Sequence, residues 1–132
     1  MIKRVDHIAI AVGSADDALS VFDSVLGLKV DHIEEIPDQG VKAAAIHVGD
    51  TSIEFIEPID PEGGVAKFIE KKGEGIHHIC FEVDDIDAEL KSLAAKGVEL
   101  IDKQARKGLA GSIGFLHPRS TKGVLIELVQ KV

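Results

Sequence analysis

Residues 5–12, VDHIAIAV, and residues 76–83, IHHICFEV, are two copies of one strand: His7 aligns with His78, Ile8 with Ile79 and Val12 with Val83. The likeness extends downstream at matching distances. After the first copy, Ser14 is an N-cap and Asp17 falls in the first turn of a helix. Ala18, Leu19, Phe22, Val25 and Leu26 follow at helical spacing, and Gly27 is a stop. After the second copy, Asp84 or Asp85 caps a run containing Ile86, Leu90, Leu93 and Ala94 that stops at Gly97. LGLKV (26–30) then corresponds to KGVEL (96–100), and each half closes on a strand, TSIEFIEP (51–58) or GVLIELVQ (123–130). In these, Ile53-Glu54-Phe55 matches Ile126-Glu127-Leu128.

A repeat of this length constrains the fold strongly, because both copies must bury the same face. The expected class is α+β, with two tandem β-α-β-β-β modules at residues 1–59 and 75–132 within a single domain. A glycine-flanked connector at 60–74 carries a short helix over Val65–Lys71. Each module leaves one sheet face uncovered. The two copies are therefore expected to pair into a curved, half-open mixed β-sheet barrel with helices on its outer face.

Strand parity assigns the polar groups, since alternate side chains face opposite sides. Ile8, Ile10 and Val12, like Ile79, Phe81 and Val83, belong beneath the helices. His7, with Ala9 and Ala11, and His78, with Cys80, face the other way, where small neighbours leave a hollow. Glu54 and Glu127 also leave the apolar face of their strands. One histidine and one glutamate per copy thus converge. Burying a carboxylate costs several kcal/mol unless a positive partner offsets it. A divalent cation bound by His7, Glu54, His78 and Glu127 supplies that partner, as does an ion-pair cluster among the four; the fourfold recurrence favours the metal. Mixed imidazole and carboxylate donors suit Co2+, Mn2+, Ni2+ or Zn2+, and six-coordination leaves two positions for substrate. His77 has no counterpart in the first copy, where Asp6 stands, and is read as structural. Cys80 is read as a small buried filler.

Composition removes other classes. With 15 basic and 23 acidic residues the chain carries a net charge of −8, which disfavours nucleic acid and anionic membranes. Aromatics at 4% leave few platforms for stacking bases. No apolar run is long enough for a membrane span, and the N-terminus lacks a secretory layout, so a cytoplasmic location is expected. The single cysteine forms no internal disulfide. Against this acidic background, residues 103–126 hold Lys103, Arg106, Lys107, Arg119 and Lys122 with no acid, a stretch suited to a small anionic ligand.

DHIAIAV, DQGVKAA (38–44), IEFIEP, AKFIEKKGEGIHHICFEVDDIDA and GFLHPRSTKGVLIELVQ together resemble the vicinal oxygen chelate superfamily, which includes glyoxalase I, extradiol dioxygenases and fosfomycin resistance proteins. More narrowly, and along nearly the whole chain, they resemble the methylmalonyl-CoA epimerases. The resemblance implies paired modules around a metal, with ligands at His7, Glu54, His78 and Glu127, and a homodimer. It implies epimerisation of methylmalonyl-CoA by α-proton abstraction through a metal-stabilised enolate; from the chemistry of that step Glu127 is the first candidate base, with Glu54 or a metal-held water for the other face. Lys107, Arg119 and Lys122 are the expected contacts to the acyl-CoA substrate. Some members carry a proton-transfer glutamate where this chain has Ala43, which leaves the second base unassigned. A glyoxalase I-like lyase and a ligand-sequestering protein without turnover are the alternatives.

Overall fold

The computed structural model describes residues 1–132. Eight strands and three α-helices follow in the order β1 (Ile2–Ala11), α1 (Ala15–Leu26), β2 (His32–Ile36), β3 (Val41–Val48), β4 (Thr51–Pro58), α2 (Gly64–Lys72), β5 (Gly75–Val83), α3 (Ile86–Ala95), β6 (Arg106–Lys107), β7 (Gly111–Leu116) and β8 (Ile126–Lys131). The α+β class and the doubled β-α-β-β-β order match the expectation. By packing, residues 8–77 form one compact unit, and residues 1–7 with 78–132 form another.

In the 8–77 unit the strand order is β2-β3-β4-β1, with β2, β3 and β4 antiparallel. Ser14 caps α1 through its hydroxyl, which accepts from the Asp17 amide at 3.1 Å. Ala15, Ala18, Leu19 and Phe22 pack on Val12, Ala44, Ile46 and Phe55, and the Phe22 and Phe55 rings meet edge-on at 4.7 Å. Val25 and Leu26, expected in that apolar stripe, are exposed instead. Gly27 takes the left-handed conformation at φ 70°, turning the chain back so that Leu28 fills the core in their place.

The connector helix α2 was foreseen, but its docking was not. Val65, Phe68 and Ile69 lie on Ala9, Ala11, Ala43 and Ile56, the strand face opposite to that of α1. The expected hollow beside Ala9 and Ala11 is therefore filled: both are fully buried. Their methyl groups are small enough to let a helix sit close.

In the unit formed by residues 1–7 and 78–132 the order is β1-β5-β8-β7-β6. Strands β5 and β8 run parallel, pairing Cys80 with Glu127, while β8 and β7 are antiparallel and pair Glu127 with Phe115. Val83, Ile86, Leu90, Leu116 and Leu128 form the core under α3, whose N-cap Asp85 accepts from the Ala88 amide. Gly111 is required by close approach: a Cβ there would collide with the Gln130 backbone of β8.

The two units repeat one further device. The first amide of α1, on Ala15, donates to Glu57 Oε1 at 2.8 Å, and the first amide of α3, on Ile86, donates to Gln130 Oε1 at 2.9 Å. Glu57 and Gln130 each stand three residues beyond the glutamates singled out in the sequence. A helix start leaves its first amides without intrahelical partners, and here the last strand of each module supplies one acceptor. Because the Phe55 ring is fully buried in the core beneath α1, Phe55→Ala is expected to cost about 3–5 kcal/mol in urea unfolding with the slope unchanged.

Candidate metal centre

His7 ends the first segment of its unit and His78 begins the second, so two residues 71 apart in sequence stand on neighbouring strands. Glu127 enters from β8, directly across from Cys80, which follows His78 by two and shares its face. The three ligand atoms converge. His7 Nε2 and His78 Nε2 are 3.2 Å apart, and Glu127 Oε1 is 3.3 Å from the first and 3.0 Å from the second.

Such a cluster is unstable as drawn by its lone pairs alone, because two imidazole nitrogens and a carboxylate oxygen that face each other repel unless a cation or protons sit among them. The spacings fit a cation. Donors about 2.1 Å from a shared divalent metal lie about 3.0 Å apart at a right angle and about 3.4 Å apart at a tetrahedral angle. The observed separations fall in that interval. Borderline nitrogen donors with one hard oxygen suit a transition ion better than calcium.

Burial would raise the Glu127 pKa, yet hydrogen bonds and charge from His7 and His78 outweigh it and bring it down to about 2. The carboxylate is thus ionised at neutral pH. Asp6 behaves alike: burial opposes its charge, but His7 and Lys131 hold its pKa at about 2. Asp6 Oδ2 lies 2.7 Å from His7 Nδ1 and, being ionised, can only accept, so Nδ1 carries a proton; Nε2 is left to face the cluster, with a proton toward Glu127 in the metal-free protein and a lone pair toward a bound ion. Asp6, His7 and Cys80 form a second group within reach of an ion. Burial pushes the Cys80 thiol up to about 12, which keeps it neutral and makes it the poorer donor.

Two residues lie near the cluster: Phe115, which the sequence reading missed, and Arg106, which it named only within the basic stretch. The Phe115 ring packs edge-on to His78 at 5.6 Å, and the Arg106 guanidinium lies 5.6 Å over the same ring while Asp102 holds it at 3.0 Å. Register explains Arg106: paired with Ile113, it shares the face of Phe115 and Glu127. The pattern of β7 gives no hint of this without the pairing.

Of the other expected site residues, Glu54 stands on β4 of the 8–77 unit, across from Ala45 and half-buried, on the face opposite Ile53 and Phe55. Ala43 pairs with Glu34 of β2, whose carboxylate is 2.9 Å from His32 Nε2. Lys107 pairs with Ser112 and lies on the face opposite Arg106. Arg119 is exposed and engages Glu99 at 3.2 Å and the His117 ring. Lys122 is exposed in a turn and adopts φ 60°, the single non-glycine residue in the left-handed region. His77 packs edge-on against Phe68 at 4.9 Å, in keeping with its reading as scaffold.

Comparison with known proteins places these residues in context. The model of the Glyoxalase/Bleomycin resistance protein/Dioxygenase superfamily matches residues 6–116. The chain is 43% identical to Uncharacterized protein YqjC of Bacillus subtilis over 97% of its length and 92% of that protein. It is 38% identical to the ethylmalonyl-CoA/methylmalonyl-CoA epimerase of Cereibacter sphaeroides, covering 98% of this chain and 99% of the relative. Among solved structures, a point variant of Streptomyces coelicolor methylmalonyl-CoA epimerase in complex with 2-nitronate-propionyl-CoA superposes with a TM-score of 0.91 at 34% identity, over 100% of this chain and 96% of the other. No helix is long and apolar enough to cross a membrane.

Two measurements check the electrostatics. A carboxyl whose pKa is lower folded than unfolded binds its proton more tightly in the unfolded chain. Its stabilisation is therefore present above about pH 4.5 and is lost as pH falls toward 2. In metal-free protein, Glu127→Gln is expected to lower urea stability at pH 7 by on the order of 3 kcal/mol, with the gap narrowing below pH 4.5 and closing as pH falls through about 2. Cys80 is expected to react with a thiol reagent no faster than the protein opens; rapid native-state labelling contradicts its burial.

Proposed function

Given that this chain belongs to the Glyoxalase/Bleomycin resistance protein/Dioxygenase superfamily, we propose that it is a metal-dependent epimerase that interconverts the (R) and (S) forms of methylmalonyl-CoA. The observation that carries this reading is the convergence of His7, His78 and Glu127 within 3.3 Å, in a chain 38% identical to an enzyme named for that substrate. Glu54 completes the proposed ligand set, a homodimer the proposed assembly, and one domain of two modules, residues 1–59 and 75–132, the proposed organisation. A divalent ion held by these residues would supply Lewis acidity toward the negative charge that develops on the thioester oxygen.

The rest of the chemistry belongs to the side chains. The hydrogen between a thioester and a carboxylate leaves as a proton, and a base within hydrogen-bond reach accelerates that transfer by about 10²- to 10⁴-fold. Glu127, ionised at neutral pH, is the first base in this reading, and Glu54 serves the opposite face in the absence of an acid at position 43. The contacts that hold Glu127 ionised also weaken its basicity. Proton uptake by Glu127 therefore requires that its bonds to the imidazoles loosen as the substrate enters. Phe115 beside His78 keeps water from one side, and Arg106 over that ring offers a positive group to the substrate carboxylate or to a phosphate of coenzyme A. Lys107, Arg119 and Lys122 remain proposed outer contacts to the coenzyme.

Incubating cobalt-loaded protein with methylmalonyl-CoA in deuterated water tests the proposal. Deuterium is expected at the α-carbon far above the uncatalysed rate. Glu127→Gln is expected to lower exchange by about 10²-fold or more. Absence of exchange together with turnover of a hemithioacetal would replace this reading with a glyoxalase-like one.

A further inference from the structure

Behind His7 the same unit carries a row of charges that the proposed reaction does not use. The two oxygens of Asp6 have separate partners. Oδ2 receives the His7 Nδ1 proton at 2.7 Å, while Oδ1 receives Lys131 Nζ at 2.5 Å and faces the Arg4 guanidinium at 3.6 Å. Arg4 is in turn anchored by Glu82, 2.7 Å from its Nε, and Lys3 stands 3.6 Å from the other Glu82 oxygen. Asp6 itself is only 13% exposed, so its carboxylate can turn neither toward water nor away from the ring without breaking two ion pairs.

Strand alternation places Lys131 on the face of Glu127, four residues along β8. Its partner on β7 is Gly111, which adds no side chain to crowd it. A single strand thus supplies one member of the donor cluster and the cation that steadies the carboxylate behind another. In the second copy His77 occupies the place of Asp6 and packs on Phe68, while the Phe115 ring packs edge-on to His78. The two histidines, equivalent in sequence, are held by different means.

We infer that Asp6 and Lys131 are a positioning pair for His7: Lys131 fixes the Asp6 carboxylate, and Asp6 fixes the His7 ring with its proton on Nδ1 and its Nε2 lone pair directed at the metal. The inference rests on the reading of His7 as a metal ligand. Carboxylates behind ligating histidines raise affinity for the ion by about 10- to 100-fold. Neither residue touches substrate in this scheme. Their effect is on tautomer and ion retention.

Long-range nitrogen–proton NMR of the histidine rings in metal-free protein tests the first half. His7 is expected to carry a proton on Nδ1 in the wild type, and in Asp6→Ala it is expected to lose that proton and shift toward the Nε2–H form favoured in water. Wild-type His7 with no proton on Nδ1 overturns the brace, and this measurement needs no variant to fold. Cobalt titration followed by visible absorption tests the second half. Affinity is expected to fall about 10- to 100-fold in Asp6→Ala and by less in Lys131→Ala, and to return in Lys131→Arg. Cobalt binding as tight in Asp6→Ala as in the wild type overturns the pair. Wild-type protein with the expected tautomer but no cobalt binding overturns instead the ligand reading on which the inference rests.

Discussion

A buried carboxylate has to be compensated, and the unit built from residues 1–7 and 78–132 is arranged around that need. Glu127 is 7% exposed and ionised, and no lysine or arginine is bonded to it. Its compensation comes from two imidazoles, groups that are neutral ligands as readily as they are cations. That choice separates a centre able to exchange protons for a metal from a permanent salt bridge. An arginine in place of either histidine would satisfy Glu127 equally well and would close the position to any ion.

Asp6 shows the contrasting solution a few ångströms away. It is paired with Lys131 and Arg4, whose charges do not depend on pH in the neutral range, and so it is a fixed element against which the adaptable one is set. In the proposed metal centre, the division between a fixed charge pair and a responsive imidazole–carboxylate cluster lets the His7 ring be held in place without being neutralised.

Much of this was legible in the chain. The doubled strand-helix pattern, both helix caps at Ser14 and Asp85, and the convergence of His7, His78 and Glu127 follow from alternation, capping chemistry and repetition, all of which are local properties. What the sequence withheld depends on register between strands distant in sequence. Arg106 and Lys107 are neighbours of the same charge, and only the pairing of Arg106 with Ile113 decides which of them shares a face with Glu127. Asp6 entered the sequence reading only as the residue that stands where the second copy has His77, because its partner, Lys131, lies far along the chain near the end of β8. The docking of α2 on Ala9 and Ala11 was hidden for a different reason: small side chains signal an open surface and a tightly covered one equally well.

The acceptors that Glu57 and Gln130 offer to the helix starts were also missed, yet they shape how the molecule tolerates change. Gln130 clamps the opening turn of α3 onto the strand that bears Glu127, so helix and carboxylate share one mount. Shortening α3 at its front end removes the donor that Gln130 accepts from, so the first turn of this surface helix and the strand that bears Glu127 have to be redesigned together.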